Sequence, residues 1–186
     1  MFWWQVTKYD PLNRNEKGHY LKDEWTSSSD IGTIYEGKKF DSIEYKRVED
    51  SYAYAVNNFL ESTNTKYLTV TELQINTFRR KKTEYTKEML NLYKNVKKGD
   101  LIAQKDIEIM VRLSLRENIW CMLESEKIRI HFGYDYYMFI GTNDFPPLEL
   151  LEKIEEKKLF VERIPCSPLC SDEEYESVMK SMGQEV

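Results

Sequence analysis

The sequence predicts an α+β fold: one domain over 1–186, with a mixed or mainly antiparallel sheet and helices packed on it. Three observations carry this expectation. The stretch Ile119–Gly141, IWCMLESEKIRIHFGYDYYMFIG, has the pattern of a three-stranded meander, about 118–140, with six aromatic rings around two tight turns. Segments of alternating and of helical period interleave as β, long loop, α, β, α, α, β, β, β, α, β, which mixes a meander with crossovers. Over 186 residues, 41% hydrophobic and 13% aromatic content supplies enough apolar surface for one core without staples.

Met1–Lys8 has the alternation of an opening strand, Trp3, Gln5 and Thr7 against Trp4 and Val6. Residues 10–40 form a long irregular loop with no clean period, punctuated by Pro11, Gly18, Gly32 and Gly37, and its rings Tyr20, Trp25 and Tyr35 are expected to pin it to the body. Asp41 followed by Glu44 has the capping-box pattern and opens a helix to about Ser62, with Tyr45, Val48, Tyr52, Ala55, Val56 and Phe59 on one stripe. Lys66–Gln74 is β-branched and alternating, a strand. Thr83–Lys98 predicts a second helix, with Tyr85, Met89, Leu92 and Val96 inward and Gly99 as its stop. Ala103–Glu117 predicts a third, apolar most of the way round and therefore buried against the sheet, with Glu108, Arg112 and Arg116 at four-residue spacing along one stripe.

In the meander, Ile128, Ile130 and Phe132 share one face while Arg129 and His131 share the other. The last strand is apolar on both sides, Tyr136, Met138 and Ile140 against Tyr137 and Phe139, which predicts a central strand under a helix layer. Pro146-Pro147 start a fourth helix with Leu148, Leu151 and Ile154 inward. Leu159–Ile164 is a short strand, and Ser171 with Glu174 caps a last helix carrying Tyr175, Val178 and Met179.

Charge and composition narrow the function classes. No apolar run approaches the roughly 20 residues of a membrane span, and Phe2-Trp3-Trp4 is too short for a signal-peptide core, so a cytoplasmic location is expected. Three cysteines, Cys121, Cys166 and Cys170, are an odd number and are expected as free thiols. With His19 and His131 far from them in sequence, no metal site is expected. The chain has neither G-x-G-x-x-G nor G-x-x-x-x-G-K-[ST], and neither G-x-S-x-G nor S-x-x-K, so no nucleotide cofactor and no standard nucleophile elbow is expected.

The net charge of −5 is unevenly spread, with a local +6 over Arg79–Lys98 and −6 over Asp144–Val186. The run Arg79, Arg80, Lys81, Lys82, between Phe78 and Tyr85, is the one nucleic-acid-like cluster, but a pI near 5.3 disfavours a nucleic-acid partner. His131 and Asp135 flank the Gly133-Tyr134 turn, close enough for a carboxylate to orient an imidazole as a general base.

The expected function is a non-catalytic, cytoplasmic protein-binding domain that occludes a cationic partner such as a basic toxin or nuclease. In profile the chain is similar to the immunity proteins that neutralise bacterial toxins, many of them small and acidic and matched to cationic nucleases; no motif carries a residue-level match. Partner contacts are expected from Asp172, Glu173 and Glu174, from the loop acids Asp23, Glu24 and Asp30, and from the rings of Trp25 and Tyr134. The alternatives are a small hydrolase or nuclease-like enzyme using His131, Asp135 and acidic loop residues, and an RNA-associated accessory protein using Arg79–Lys82.

Overall fold

The computed structural model describes residues 1–77 and 85–181. Its elements in chain order are β1 (Phe2–Thr7), β2 (Ile34–Tyr35), β3 (Lys38–Lys39), α1 (Ser42–Ser62), β4 (Tyr67–Ile75), α2 (Lys87–Asn95), β5 (Leu101–Ala103), α3 (Gln104–Leu115), β6 (Ile119–Glu124), β7 (Ile128–Phe132), β8 (Tyr137–Thr142), α4 (Leu148–Glu155), β9 (Phe160–Ile164) and α5 (Asp172–Ser181). Seven strands make one antiparallel sheet in the order β5-β4-β6-β7-β8-β1-β9, while β2 and β3 pair as a separate small hairpin. The expected α+β architecture and its meander, β6-β7-β8, are present.

Strand register sorts the side chains onto two faces. One row runs Trp4, Ile140, Ile130 and Leu123, and with Met138, Phe132 and Ile128 it faces the helices. There α1 and α3 lie together, and Tyr52, Val56, Phe59, Ile107, Met110 and Val111 join the sheet residues in one buried cluster. The other face carries Gln5, Phe139, His131 and Met122 in one row and Trp3, Gly141 and Arg129 in the next. Gly141 is a glycine in mid-strand because Trp3 lies on it: a Cβ there would stand 2.9 Å from Trp3 Cε2.

Several expectations are corrected. Asp41 caps α1 through the amides of Ile43 and Glu44, but the Glu44 carboxylate turns forward to Arg47 at 2.7 Å instead of closing the box. The expected Thr83–Lys98 helix is shorter at its described end: Thr86 Oγ1 accepts from the Met89 amide and starts α2, and Val96 is already extended. In α4 the inward stripe is Leu150, Ile154 and Leu151, which share one arc of about 100° at 3.6 residues per turn, and Leu148 in the first turn falls outside that arc and is exposed. The 10–40 loop holds two 3-10 turns, Pro11–Asn13 and Ser28–Asp30, besides the β2-β3 hairpin. No helix among the described residues is long and apolar enough to cross a membrane.

Candidate functional site

His131 lies on the face away from the main helices. Its Nδ1 is 3.0 Å from Ser167 Oγ and its Nε2 is 2.8 Å from Glu124 Oε1. Ser167 Oγ also accepts from the Leu169 amide at 3.2 Å, so the Nε2–H tautomer gives every group a partner: Ser167 donates to Nδ1, and Nε2–H donates to Glu124. The hydrogen bond from His131 holds the Glu124 carboxyl below its ordinary value against the opposing effect of burial. Asp135, expected to orient this ring, is not its partner. It occupies the hairpin turn, and the orienting carboxylate comes from the adjacent strand β6.

A hydroxyl, an imidazole and a carboxylate in series are the parts of a nucleophilic relay. Here the hydroxyl is fully enclosed. Ser167 is 0% exposed and His131 2%, and the Trp3 ring covers the imidazole at a centroid distance of 5.0 Å. In this geometry the relay ties the segment after β9 to β7 and β6.

A second constellation gathers at the turn that joins β7 to β8. The turn Tyr134–Tyr137 closes with Tyr137 N–H donating to the Tyr134 carbonyl at 3.0 Å, and its two central residues, Asp135 (φ 51°) and Tyr136 (φ 64°), are both left-handed. This is the primed hairpin geometry, which ordinarily places glycine or asparagine in the second central position. Tyr136 holds it with a side chain that glycine lacks. Its ring is buried edge-on to Trp25 at 4.9 Å, its hydroxyl donates to the Leu115 carbonyl at 3.0 Å, and its own carbonyl accepts from Tyr52 Oη–H. Tyr134, on this fixed base, is 83% exposed.

Beside the turn, α3 ends in a Schellman arrangement. The Glu117 amide donates to the Ser114 carbonyl at 2.9 Å and the Asn118 amide to the Leu113 carbonyl at 3.0 Å, with Glu117 at φ 59° where glycine is usual. Asn76 Nδ2 donates to the Glu117 carbonyl at 3.0 Å and fixes that end. Between turn and helix end opens a cleft of about 120 Å³, lined by Asn76, Glu117, Trp120, Tyr134, Asp135 and Tyr136 among others. Of the six non-glycine residues with positive φ among the described residues, three line this one cleft. Backbone strain of this kind costs roughly 1–3 kcal/mol per residue and concentrates at functional sites. The Trp120 ring is fixed by its Nε1–H donating to the Phe132 carbonyl at 2.6 Å. Neither Glu117 nor Asp135 has an ion-pair partner among the described residues, and none of the described lining residues is Lys or Arg.

The other expected partner-binding residues are dispersed. Trp25 is not a free anchor: it stacks on Phe40 at 4.3 Å and is buried, because the loop needs an apolar plug of its own. Glu24 is engaged by Lys8 at 3.2 Å and by the Tyr20 hydroxyl at 2.5 Å, and burial among these rings lowers the Lys8 pKa. Asp30 closes its own 3-10 turn by accepting from the Thr26 and Ser27 amides. Asp23 is exposed beside this loop. Asp172 and Glu173 are exposed on α5, and Glu173 shares a groove with Ser125 and Asn143 at the far end of the sheet, so they do not join Tyr134. The Glu174 side chain and the run Arg79, Arg80, Lys81 and Lys82 lie outside the described set.

Sequence reasoning missed Glu117, Trp120 and Asn76 as cleft residues, and Glu124 and Ser167 as partners of His131. It also missed the most enclosed ion cluster. Glu49 is fully buried between α1 and α3, its carboxylate held by Arg116 at 2.5 and 2.8 Å and by Arg112 at 2.9 Å. No family model, no curated protein and no solved structure matches this chain.

Proposed function

We propose that the chain is a non-catalytic protein-binding domain of the inhibitor type, which occludes a basic partner; a cationic toxin nuclease is the example whose charge fits. The observation that carries this reading is the exposed Tyr134 ring on a turn fixed by Tyr136, beside Glu117 and Asp135, whose carboxylates have no ion-pair partner among the described residues. An aromatic side chain presented on a rigid base loses little entropy on binding and is hot-spot material. Acidic groups around it attract a cationic partner and speed encounter. The partner would seat on this end of the sheet, with the α5 acids forming a separate patch.

The Ser167, His131 and Glu124 series favours a hydrolase as the second reading. Its burial counts against that role, since no substrate carbonyl or phosphorus can reach a hydroxyl at 0% exposure without displacing the segment after β9.

Affinity capture from the native host, followed by kinetics with the captured protein, tests the proposal. A basic protein is expected, with an association rate that falls as salt screens charges beyond about 8–10 Å. Tyr134→Ala should speed its dissociation by about thirtyfold, the effect of losing a ring worth about 2 kcal/mol. A salt-independent on-rate, or unchanged kinetics in Tyr134→Ala, contradicts the reading. So does turnover of an ester, phosphodiester or glycoside that disappears in His131→Ala.

A further inference from the structure

We infer that the cleft between the β7-β8 turn and the end of α3 receives an arginine side chain of the partner. This rests on the protein-binding reading and names the group that reading requires.

The cleft has the chemistry of a cation site in four respects. Its two acidic residues, Glu117 and Asp135, stand on separate elements, one closing α3 and one in the hairpin turn, and neither has an ion-pair partner among the described residues. Trp120 and Tyr134 line the same space, and their rings attract a cation over the face. The cleft sits at the C-terminal end of a helix of twelve residues, where the helix dipole favours positive charge. The backbone that places Glu117 is strained at a position where glycine would relax it, so the carboxylate is kept at a cost in stability.

Arginine fits better than lysine. A planar guanidinium stacks on an indole and still directs its N–H groups sideways to carboxylates, whereas an ammonium is a strongly hydrated point charge. Trp120, in the cleft wall, is already oriented by its bond to the Phe132 carbonyl, so its ring needs no ordering when a ligand binds.

The test uses the full chain and three capped tripeptides of the form Gly-X-Gly, where X is arginine, lysine or citrulline. Citrulline keeps the shape of arginine and removes its charge. Binding is followed by NMR through the Trp120 indole N–H, assigned with Trp120→Phe, and through the amides of Gly133 and Tyr134. The arginine peptide is expected to shift these signals saturably in the millimolar range, with the lysine peptide several-fold weaker and citrulline inactive. Glu117→Gln combined with Asp135→Asn should weaken the arginine peptide by about tenfold or more, a loss of two charge-assisted contacts. Glu126→Gln, in the β6-β7 turn at the far end of the sheet, should leave it unchanged.

Equal shifts from the citrulline or lysine peptide overturn the inference, as do shifts that map elsewhere or the absence of any saturable shift. If the arginine peptide fails while Tyr134-dependent capture of a basic protein holds, this inference falls and the protein-binding reading stands. If capture also loses its dependence on Tyr134, both fall.

Discussion

Replacing Glu49 by Ala is expected to destabilise the protein by about 3–5 kcal/mol, the usual consequence of removing one partner from a buried ion cluster. Glu49 Oε1 and Oε2 accept from Arg116 Nε and Nη2 in a two-pronged bond, and Arg112 Nη1 joins at 2.9 Å. Arg116 is itself buried, with its guanidinium over the Tyr85 ring at 4.9 Å. Arg112 has further acceptors in Glu108 and Asp50 and keeps part of its compensation. Burial alone disfavours charge on Arg112, yet its hydrogen bonds to Glu108, Asp50 and Glu49 raise its pKa above the ordinary arginine value. Without Glu49 the buried Arg116 charge loses this two-pronged carboxylate contact between α1, α2 and α3. Glu49→Ala combined with Arg116→Met should recover part of the loss, because a buried ion pair replaced whole by apolar groups is often neutral. Urea unfolding midpoints measure both. A loss below about 1 kcal/mol for Glu49→Ala contradicts this account of the α1-α3 interface.

Met138→Ala is the second large effect, expected at about 2–5 kcal/mol. Met138 is fully buried in β8, paired across the sheet to Val6 on one side and Phe132 on the other. A cavity there opens beneath the helix layer in the middle of a seven-stranded sheet, where neighbouring strands are held by ladders on both sides and collapse little. A loss under about 1 kcal/mol places Met138 in a part of the core able to close around the void, and contradicts its central position.

The large periodic elements were legible in the sequence because their patterns are local. The α1 stripe from Tyr45 to Phe59, and Met138 and Ile140 against Phe139 in β8, sit as the spacing predicts, while Tyr136, expected on the same strand, lies in the turn before it. β5 was not legible: its three residues, with Leu101 exposed and Ile102 buried, are too few to carry a period. Glu49 has the look of an ordinary solvated position within a helix, and its burial is decided by Arg112 and Arg116, which lie 63 and 67 residues away in sequence. The same holds for His131. Asp135 was the nearer carboxylate in sequence, yet the carboxylate that reaches the ring is Glu124 on the paired strand β6, and the hydroxyl is 36 residues distant.

The candidate cleft was half visible. Tyr134 was expected as an exposed ring because a tyrosine beside a tight turn has little to pack against, and it is exposed. Glu117 was hidden for a physical reason. The usual sequence signal for a Schellman end is glycine, and this helix ends that way with a glutamate in the left-handed position. The tyrosine at Tyr136 conceals the primed turn in the same manner, since glycine would have announced it.

That glutamate supplies the most direct test of the central claim, that the turn end of the sheet is built for recognition. Glu117→Gly should raise stability by about 1 kcal/mol, because the left-handed conformation strains a side chain and not glycine. The same variant should bind the captured basic partner more weakly, by about tenfold, as a charge-assisted contact is lost. Stability by urea unfolding and affinity for the partner are measured on one preparation. Higher stability with weaker binding is the predicted result. Higher stability with unchanged binding would show that Glu117 serves no recognition, and would contradict the account.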